Sequence, residues 1–311
     1  TSRGFKSLQV HSIKGASMQN KDTVVAVISD MQTGSTTALC PLRWNLLDGG
    51  TYHASPGQKV IHKQWIRSAE KVRDLRYDSK AKKRLILVLN GEPIDGHHHD
   101  TPQVITTRSK EQIEMSISLL DEWLDIAEYD YKRGDCIYLV RGTSAHERGE
   151  YIEQIGRDID GVIPYRKDTS PLVKDGRYHF QKLRRTINGV LFDITHHGFS
   201  RGSRAWTRSN SIRYALQSIY FSALDNGLPI PDYVIRSHKH YFTYDDYKGE
   251  RKTVWGCLTP CWQLKTHFGN MVAGNDPLNT IGMIYFDVLK SGASQHYAEY
   301  IKIEDTPVKE F

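Results

Sequence analysis

Five short polar clusters, each just after an apolar run, hold the residue types that metal-assisted chemistry needs. Thr23 to Ile28 is followed by Ser29-Asp30-Met31-Gln32, and Leu85 to Leu89 by Asn90-Gly91-Glu92-Pro93-Ile94-Asp95-Gly96. Ile137 to Val140 leads into Arg141-Gly142-Thr143-Ser144-Ala145-His146-Glu147. Val190 to Ile194 leads into Thr195-His196-His197-Gly198, and Tyr233 to Ile235 into Ser237-His238-Lys239-His240. Carboxylate oxygens and imidazole nitrogens together suit manganese, iron or zinc. Taken singly each cluster is weak. Asp30 or Glu92 alone serves equally well as a helix cap or turn residue, and a lone His pair is more often surface or hydrogen-bonded structure. The order of all five, and their placement at strand exits, carries the signal. If His238 and His240 lie on a strand, alternation puts them on one face.

The elements that must position these clusters are legible in the periodicity. The five runs, with Ile281 to Leu289, read as strands. Ile61, Trp65, Ala69 and Val72 repeat at helical spacing, as do Ile113, Ile117, Leu120, Leu124 and Ala127, and later Ile212, Leu216, Ile219 and Ala223. Strand and helix alternate through the first half, which argues for α/β layers. From Tyr178 onward strand dominates. Lys252 to Trp255, Ile281 to Leu289 and Gln295 to Ile303 look like antiparallel pairing, and a second, mixed sheet is the inference. The expected organisation is an N-terminal extension over residues 1–22 and one domain over 23–311 with two stacked sheets. Ligands bind at the carboxyl ends of strands in such sheets, so the five clusters can converge there.

Composition sets broader bounds. Of 311 residues 39% are hydrophobic and 25% charged, which fits a soluble globular chain, and no run approaches the ~18 apolar residues of a membrane helix. The first twenty residues lack a signal-peptide pattern, so a cytoplasmic location without membrane attachment is the expectation. The four cysteines, Cys40, Cys136, Cys257 and Cys261, are too scattered for a disulfide framework and read as buried small side chains. The net charge is +6, with ten Lys or Arg against three acids between Lys59 and Arg84, and nine against two between Lys174 and Arg213. A polyanion such as DNA or RNA fits that distribution, and so does a solvated helix face.

The ordered clusters resemble the motif set of calcineurin-like metallophosphoesterases, and the variant Gly-Thr-x-x-His at 142–146 and Asp95-Gly96-His97 resemble phage and prophage members. In that family Asp-x-His, Gly-Asp-x-x-Asp, Gly-Asn-His-Asp/Glu, a lone His and Gly-His-x-His follow one another. Asp30 matches the first position, Asp95 the second acid of the second motif, His146 the catalytic His, His196 the lone His, and His238 and His240 the last pair. The chain departs from the pattern at three places. Gln32 stands where the family has a His ligand, Glu92 where it has the bridging Asp, and two extra residues precede His146. The resemblance implies an α/β four-layer sandwich, two mixed sheets flanked by helices, with two divalent metal ions bridged by a carboxylate and a water.

Carried over, Asp30, Gln32, Glu92 and His240 hold one ion, and Glu92, His196 and His238 the other. Manganese is the first expectation, with iron, zinc or magnesium as alternatives. His146 protonates the leaving oxygen or steadies phosphoryl charge. Thr143 is a candidate for the second ion or for substrate, and Arg141, Arg148 and Lys239 are candidates to hold the anion. Of His97, His98 and His99, at most one or two reach substrate; a polar rim is the equal alternative. The implied function is a metal-dependent phosphoesterase acting on nucleic acid or a nucleotide diester. A protein phosphatase, and a non-catalytic binding protein with a degenerate site, are the rivals.

Overall fold

The computed structural model describes residues 21–79, 81–97, 102–144, 146, 150–165, 177–199, 207–266 and 279–303. The expected extension, except residues 21–22, and His98, His99 and Arg148 lie outside the described residues. In chain order the first half runs β1 (Thr23–Ile28), β2 (Arg43–Asn45), β3 (Thr51–His53), α1 (Pro56–Arg76), β4 (Arg84–Asn90), α2 (Ser109–Ile126), β5 (Cys136–Val140) and α3 (Glu150–Asp158). The second half runs β6 (His179–Phe180), β7 (Leu183–Ile187), β8 (Val190–Ile194), α4 (Asn210–Asp225), β9 (Tyr233–Arg236), β10 (Thr243–Lys248), β11 (Thr253–Leu258), β12 (Thr280–Val288) and β13 (Ser294–Lys302).

Two mixed sheets result, ordered β13-β12-β1-β4-β5-β6 and β10-β11-β9-β8-β7. Successive strand residues point to opposite faces, and the residues of β1 show where each face goes. Val24, Ala26 and Ile28 pack with Trp65, Leu120 and Trp123 of α1 and α2. Val25 and Val27 pack against Phe192, Ile194 and Ile235 of the other sheet. On that sheet's far face Val234, Val254 and Leu258 meet Ile212, Leu216 and Tyr220 of α4. The order is helices, sheet, sheet, helix, an αββα sandwich. β1, β4 and β5 are buried on both faces and so read as unbroken apolar runs, as parallel central strands do. No helix among the described residues is long and apolar enough to cross a membrane.

The end of the chain divides differently from the expectation. β11 belongs to the second sheet, parallel to β9 and antiparallel to β10. β12 and β13 return to the first sheet, where β12 pairs antiparallel with β1. The reason is burial on both faces of β12: Ile281, Met283 and Tyr285 pack on the helical side, and Ile284, Phe286 and Val288 face the other sheet. Such a strand is stable only in the interior of the sandwich.

The basic run from Lys59 to Arg84 is also more structural than its composition implies. Arg76, 1% exposed, places Nη2 2.5 Å from Asp135 Oδ2 and donates from Nη1 to the Glu128 carbonyl at 2.9 Å. Lys83 Nζ lies 2.7 Å from Asp287 Oδ2 and 2.8 Å from Asp78 Oδ1. These cations tie the amino-terminal edge of the first sheet to its surroundings and are spent as anion attractors. All four cysteines are buried and free.

Candidate metal centre

The carboxyl ends of β1, β4, β5, β8 and β9 meet at one place, and a hydroxyl–amide network fastens them. Ser29 Oγ lies 2.6 Å from Thr259 Oγ1, which donates to Ser237 Oγ at 2.8 Å. Ser237 Oγ in turn accepts from Asn90 Nδ2 at 2.6 Å, and the same amide reaches the Thr195 carbonyl at 3.2 Å. Both sheets are thereby latched where the polar clusters begin.

Beyond each strand end the chain turns in a conformation that L-residues rarely adopt. Seven non-glycine residues among those described have positive φ, and five of them are Asp30 (52°), Gln32 (51°), Glu92 (54°), His238 (72°) and His240 (58°). Left-handed backbone in non-glycine residues carries strain, of order 1–3 kcal/mol each in the sparsely populated regions, and such residues concentrate at functional sites. His238 and His240 are thus brought in by a turn after β9, not by alternation along a strand. Gly91, at φ 83°, has a separate reason: a Cβ there would lie 2.5 Å from His196 Nδ1 and 2.7 Å from the Gly142 Cα.

The side chains converge on Glu92, which is fully buried. Its Oε1 lies 2.9 Å from His196 Nε2 and 3.4 Å from His238 Nδ1, and accepts from the Thr143 hydroxyl. Gln32 Nε2 donates to its other oxygen, Oε2. Asp30 Oδ1 lies 3.3 Å from His240 Nε2 and 3.8 Å from His196 Nε2, so both imidazoles border one carboxylate oxygen. Two groups of ligand-type atoms emerge, Asp30 with Glu92 and His240, and His196 with His197 and His238, each with its atoms within 4.8 Å of one another. The two members of the His238/His240 pair go to different groups.

The fit to cations shows in what these atoms lack. Asp30 Oδ1 and Gln32 Oε1 are buried without a hydrogen-bond donor. Buried acceptors are ordinarily satisfied, and two orphaned oxygens beside a buried carboxylate are what a cation would complete. His196 is prepared in the same sense. Its Nδ1 lies 2.7 Å from the Asn90 carbonyl, which only accepts, so Nδ1 carries the hydrogen and Nε2 faces the acids.

Electrostatics follow from that packing. Burial pushes the Glu92 carboxyl up, but the His196 charge and the hydrogen bonds from His196 and His238 outweigh it and hold the group well below the usual carboxylate range. Burial lowers His196, yet Glu92 and Asp30 raise it to about 10. His240 is also lifted: burial lowers it, but the neighbouring Asp30 carboxylate outweighs that effect. His197 goes the other way, to about 4, through burial and repulsion from His196 and His238.

The other expected residues fall around this centre. His146 Nδ1 donates to the Asp95 carbonyl at 2.7 Å, and its backbone abuts Gly96. Asp95 is buried, its Oδ1 accepting from Gln263 Nε2 at 3.3 Å. Lys239 is exposed and lines an open cleft of about 360 Å³ with His197, Gly198, Phe199, Ser237 and His238. Arg141 is half-buried and donates to Ser144 Oγ at 3.3 Å. His97 is exposed on the loop after Gly96, with no ion pair to the cluster among the described residues. Sequence reasoning missed His197. Its signal was adjacency to His196 immediately beyond a strand, where alternation no longer separates neighbours.

No family model matches the chain, and no curated protein matches it. Among solved structures, a conserved uncharacterized protein of Streptococcus pneumoniae TIGR4, named as a predicted phosphoesterase, aligns over 89% of this chain and 98% of its own at 12% identity and a TM-score of 0.30. The sulfate thiohydrolase SoxB of Thermus thermophilus aligns over 91% of this chain and 57% of its own at 10% identity and a TM-score of 0.37. A Thermotoga maritima protein aligns over 90% and 99% at 10% identity and a TM-score of 0.32. Similarities this low assign no activity.

Proposed function

We propose that the chain is a metal-dependent phosphoesterase of the calcineurin-like superfamily, acting on a phosphodiester of nucleotide or nucleic-acid type. The observation that carries this reading is the buried Glu92 carboxylate, which belongs to one group of ligand-type atoms and borders the other through His196 and His238, with Asp30 Oδ1 and Gln32 Oε1 lacking donors. Asp30, Gln32, Glu92 and His240 would hold one divalent ion, and Glu92, His196 and His238 a second, with Glu92 between them. A pair of such ions neutralises phosphoryl oxygens and makes a water nucleophilic near neutral pH.

The chain's own residues supply the rest. The latch of Ser29, Thr259, Ser237 and Asn90 holds the strand ends, and with them the ligand-bearing turns, in fixed register. Thr143 donates to Glu92 and keeps that carboxylate oriented. Because His146 gives its Nδ1 hydrogen to the Asp95 carbonyl, Nε2 is the atom that passes a proton to the departing oxygen. Lys239 at the cleft and Arg141 beside Thr143 draw in and steady an anionic substrate, and the net charge of +6 favours one. The test is hydrolysis of bis-p-nitrophenyl phosphate and p-nitrophenyl phosphate with manganese added. Turnover of the diester supports the proposal. Activity on the monoester alone would move the substrate class, and no turnover of either with metal bound would leave a binding protein.

A further inference from the structure

Beyond the ligands expected from sequence, the turn after β8 presents a third imidazole to one side of Glu92. β8 ends at Ile194, the Thr195 hydroxyl donates to the His197 carbonyl, and Gly198 follows at φ 134°. In an extended strand His196 and His197 would point apart. Here their ring centroids are 4.8 Å apart, and that of His197 is 4.4 Å from that of His238. His197 Nε2 lies 3.2 Å from Thr143 Oγ1, the same hydroxyl that donates to Glu92 and sits 3.3 Å from His238 Nδ1. Three imidazoles therefore bring ligand atoms within 4.8 Å of one another, and two of them, His196 and His238, border the same Glu92 oxygen. The other side of Glu92 is different in kind: carboxylate oxygens of Asp30 and Glu92 group with one imidazole, His240, beside the Gln32 amide, whose Nε2 donates to Glu92 Oε2 and whose Oε1 is buried without a donor.

We infer that His197 is a metal ligand and that the two metal positions are chemically unlike: a nitrogen-rich position of His196, His197, His238 and Glu92 that selects zinc, and an oxygen-rich position of Asp30, Gln32, Glu92 and His240 that accepts manganese or magnesium. The inference rests on the proposed two-metal reading. Imidazole nitrogens favour zinc, which takes three histidines and an oxygen readily in four-coordinate sites. Carboxylate and amide oxygens suit the harder manganese and magnesium ions, and replacing an imidazole by the neutral oxygen of Gln32 weakens the claim of zinc on that side.

The experiment equilibrates the metal-free full chain with equimolar zinc and manganese, removes free metal, and counts both by mass spectrometry, with circular dichroism to confirm that each variant is folded. Wild type is expected to retain one zinc and one manganese. His197→Gln should weaken zinc retention by roughly 100-fold, since even residues that only orient a ligand cost about 10- to 100-fold, and leave manganese in place. Gln32→His adds an imidazole to the oxygen-rich side and should exchange its manganese for zinc. If His197→Gln keeps zinc as tightly as wild type, or if wild type fills both positions with the same metal, this inference is overturned while the two-metal reading survives. If wild type retains neither metal, both fall.

Discussion

Removing metal from the protein should leave His196 as a cation over most of the usable pH range. Its Nδ1 hydrogen is committed to the Asn90 carbonyl, and its Nε2 faces Glu92 Oε1 at 2.9 Å, which demands a second hydrogen when Glu92 is ionised. Burial opposes the charge, but Glu92 and Asp30 lift the group to about 10. The folded-state value is raised above the ordinary ~6.5. This pairing therefore stabilises the metal-free fold fully below about pH 6.5, and the contribution is lost as pH rises through 10. A metal taking Nε2 must displace that proton. At pH 7 the displacement spans about three pH units, on the order of 4 kcal/mol of binding free energy, so affinity should rise close to tenfold per pH unit between 7 and 8. Long-range nitrogen–proton correlation spectra of histidine-labelled, metal-free protein should show both His196 ring nitrogens protonated at pH 8 and His197 neutral at pH 6. Calorimetry in buffers of different ionisation enthalpy should show at least one proton released when metal is added at pH 7. A His196 that titrates near 6.5, with metal affinity flat between pH 7 and 8, would refute the reasoning.

Three further expectations follow from other contacts. His146→Asn should keep its metal and lose about 10²- to 10⁴-fold in turnover, with a smaller loss for a nitrophenolate leaving group that needs little protonation; metal loss would make His146 a ligand, and full activity would remove it from the site. Gly91→Ala forces a Cβ to 2.5 Å from His196 Nδ1 at a left-handed position, so metal binding and turnover should collapse while far-ultraviolet circular dichroism holds; unchanged metal content would show that the turn yields. Glu153 accepts from the backbone N–H of Arg177 and Tyr178 and lies 2.8 Å from His179 Nδ1, and although burial raises it these partners hold it below its ordinary value. A depressed carboxylate stabilises above about pH 4.5 and loses that contribution as pH falls through its folded value. Glu153→Gln should lower stability at pH 7 by about 1–3 kcal/mol and flatten the loss below about pH 4.5, read by urea unfolding; an unaltered acid profile would mean that Glu153 carries no charge linkage.

Much of this architecture was open to reading from the chain, because the features that reveal it are local. β1, β4 and β5 are unbroken apolar runs, and α1 and α2 show Trp65 and Leu120 at helical spacing. The polar clusters stand directly behind those strands, so Asp30, Glu92, His196, His238 and His240 were nameable in advance as a set. What was hidden depends on backbone angles and long-range pairing. β12 returns to the first sheet because both its faces need cover, which no window of sequence expresses. The short strands β2, β3 and β6 are two or three residues long and show no period. His197 joins His196 because the chain turns at 195–198, and the basic run near Lys83 is neutralised by Asp287, more than two hundred residues away. Charge counted along a sequence cannot register such partners.

Whether Glu92 stands between two metal ions is tested by anomalous diffraction from crystals grown with saturating manganese. Two peaks per chain are expected, roughly 3.5–4 Å apart. One should lie among Asp30, Gln32 and His240, the other among His196, His197 and His238, with Glu92 touching both. A single peak, or peaks away from Glu92, would contradict the account.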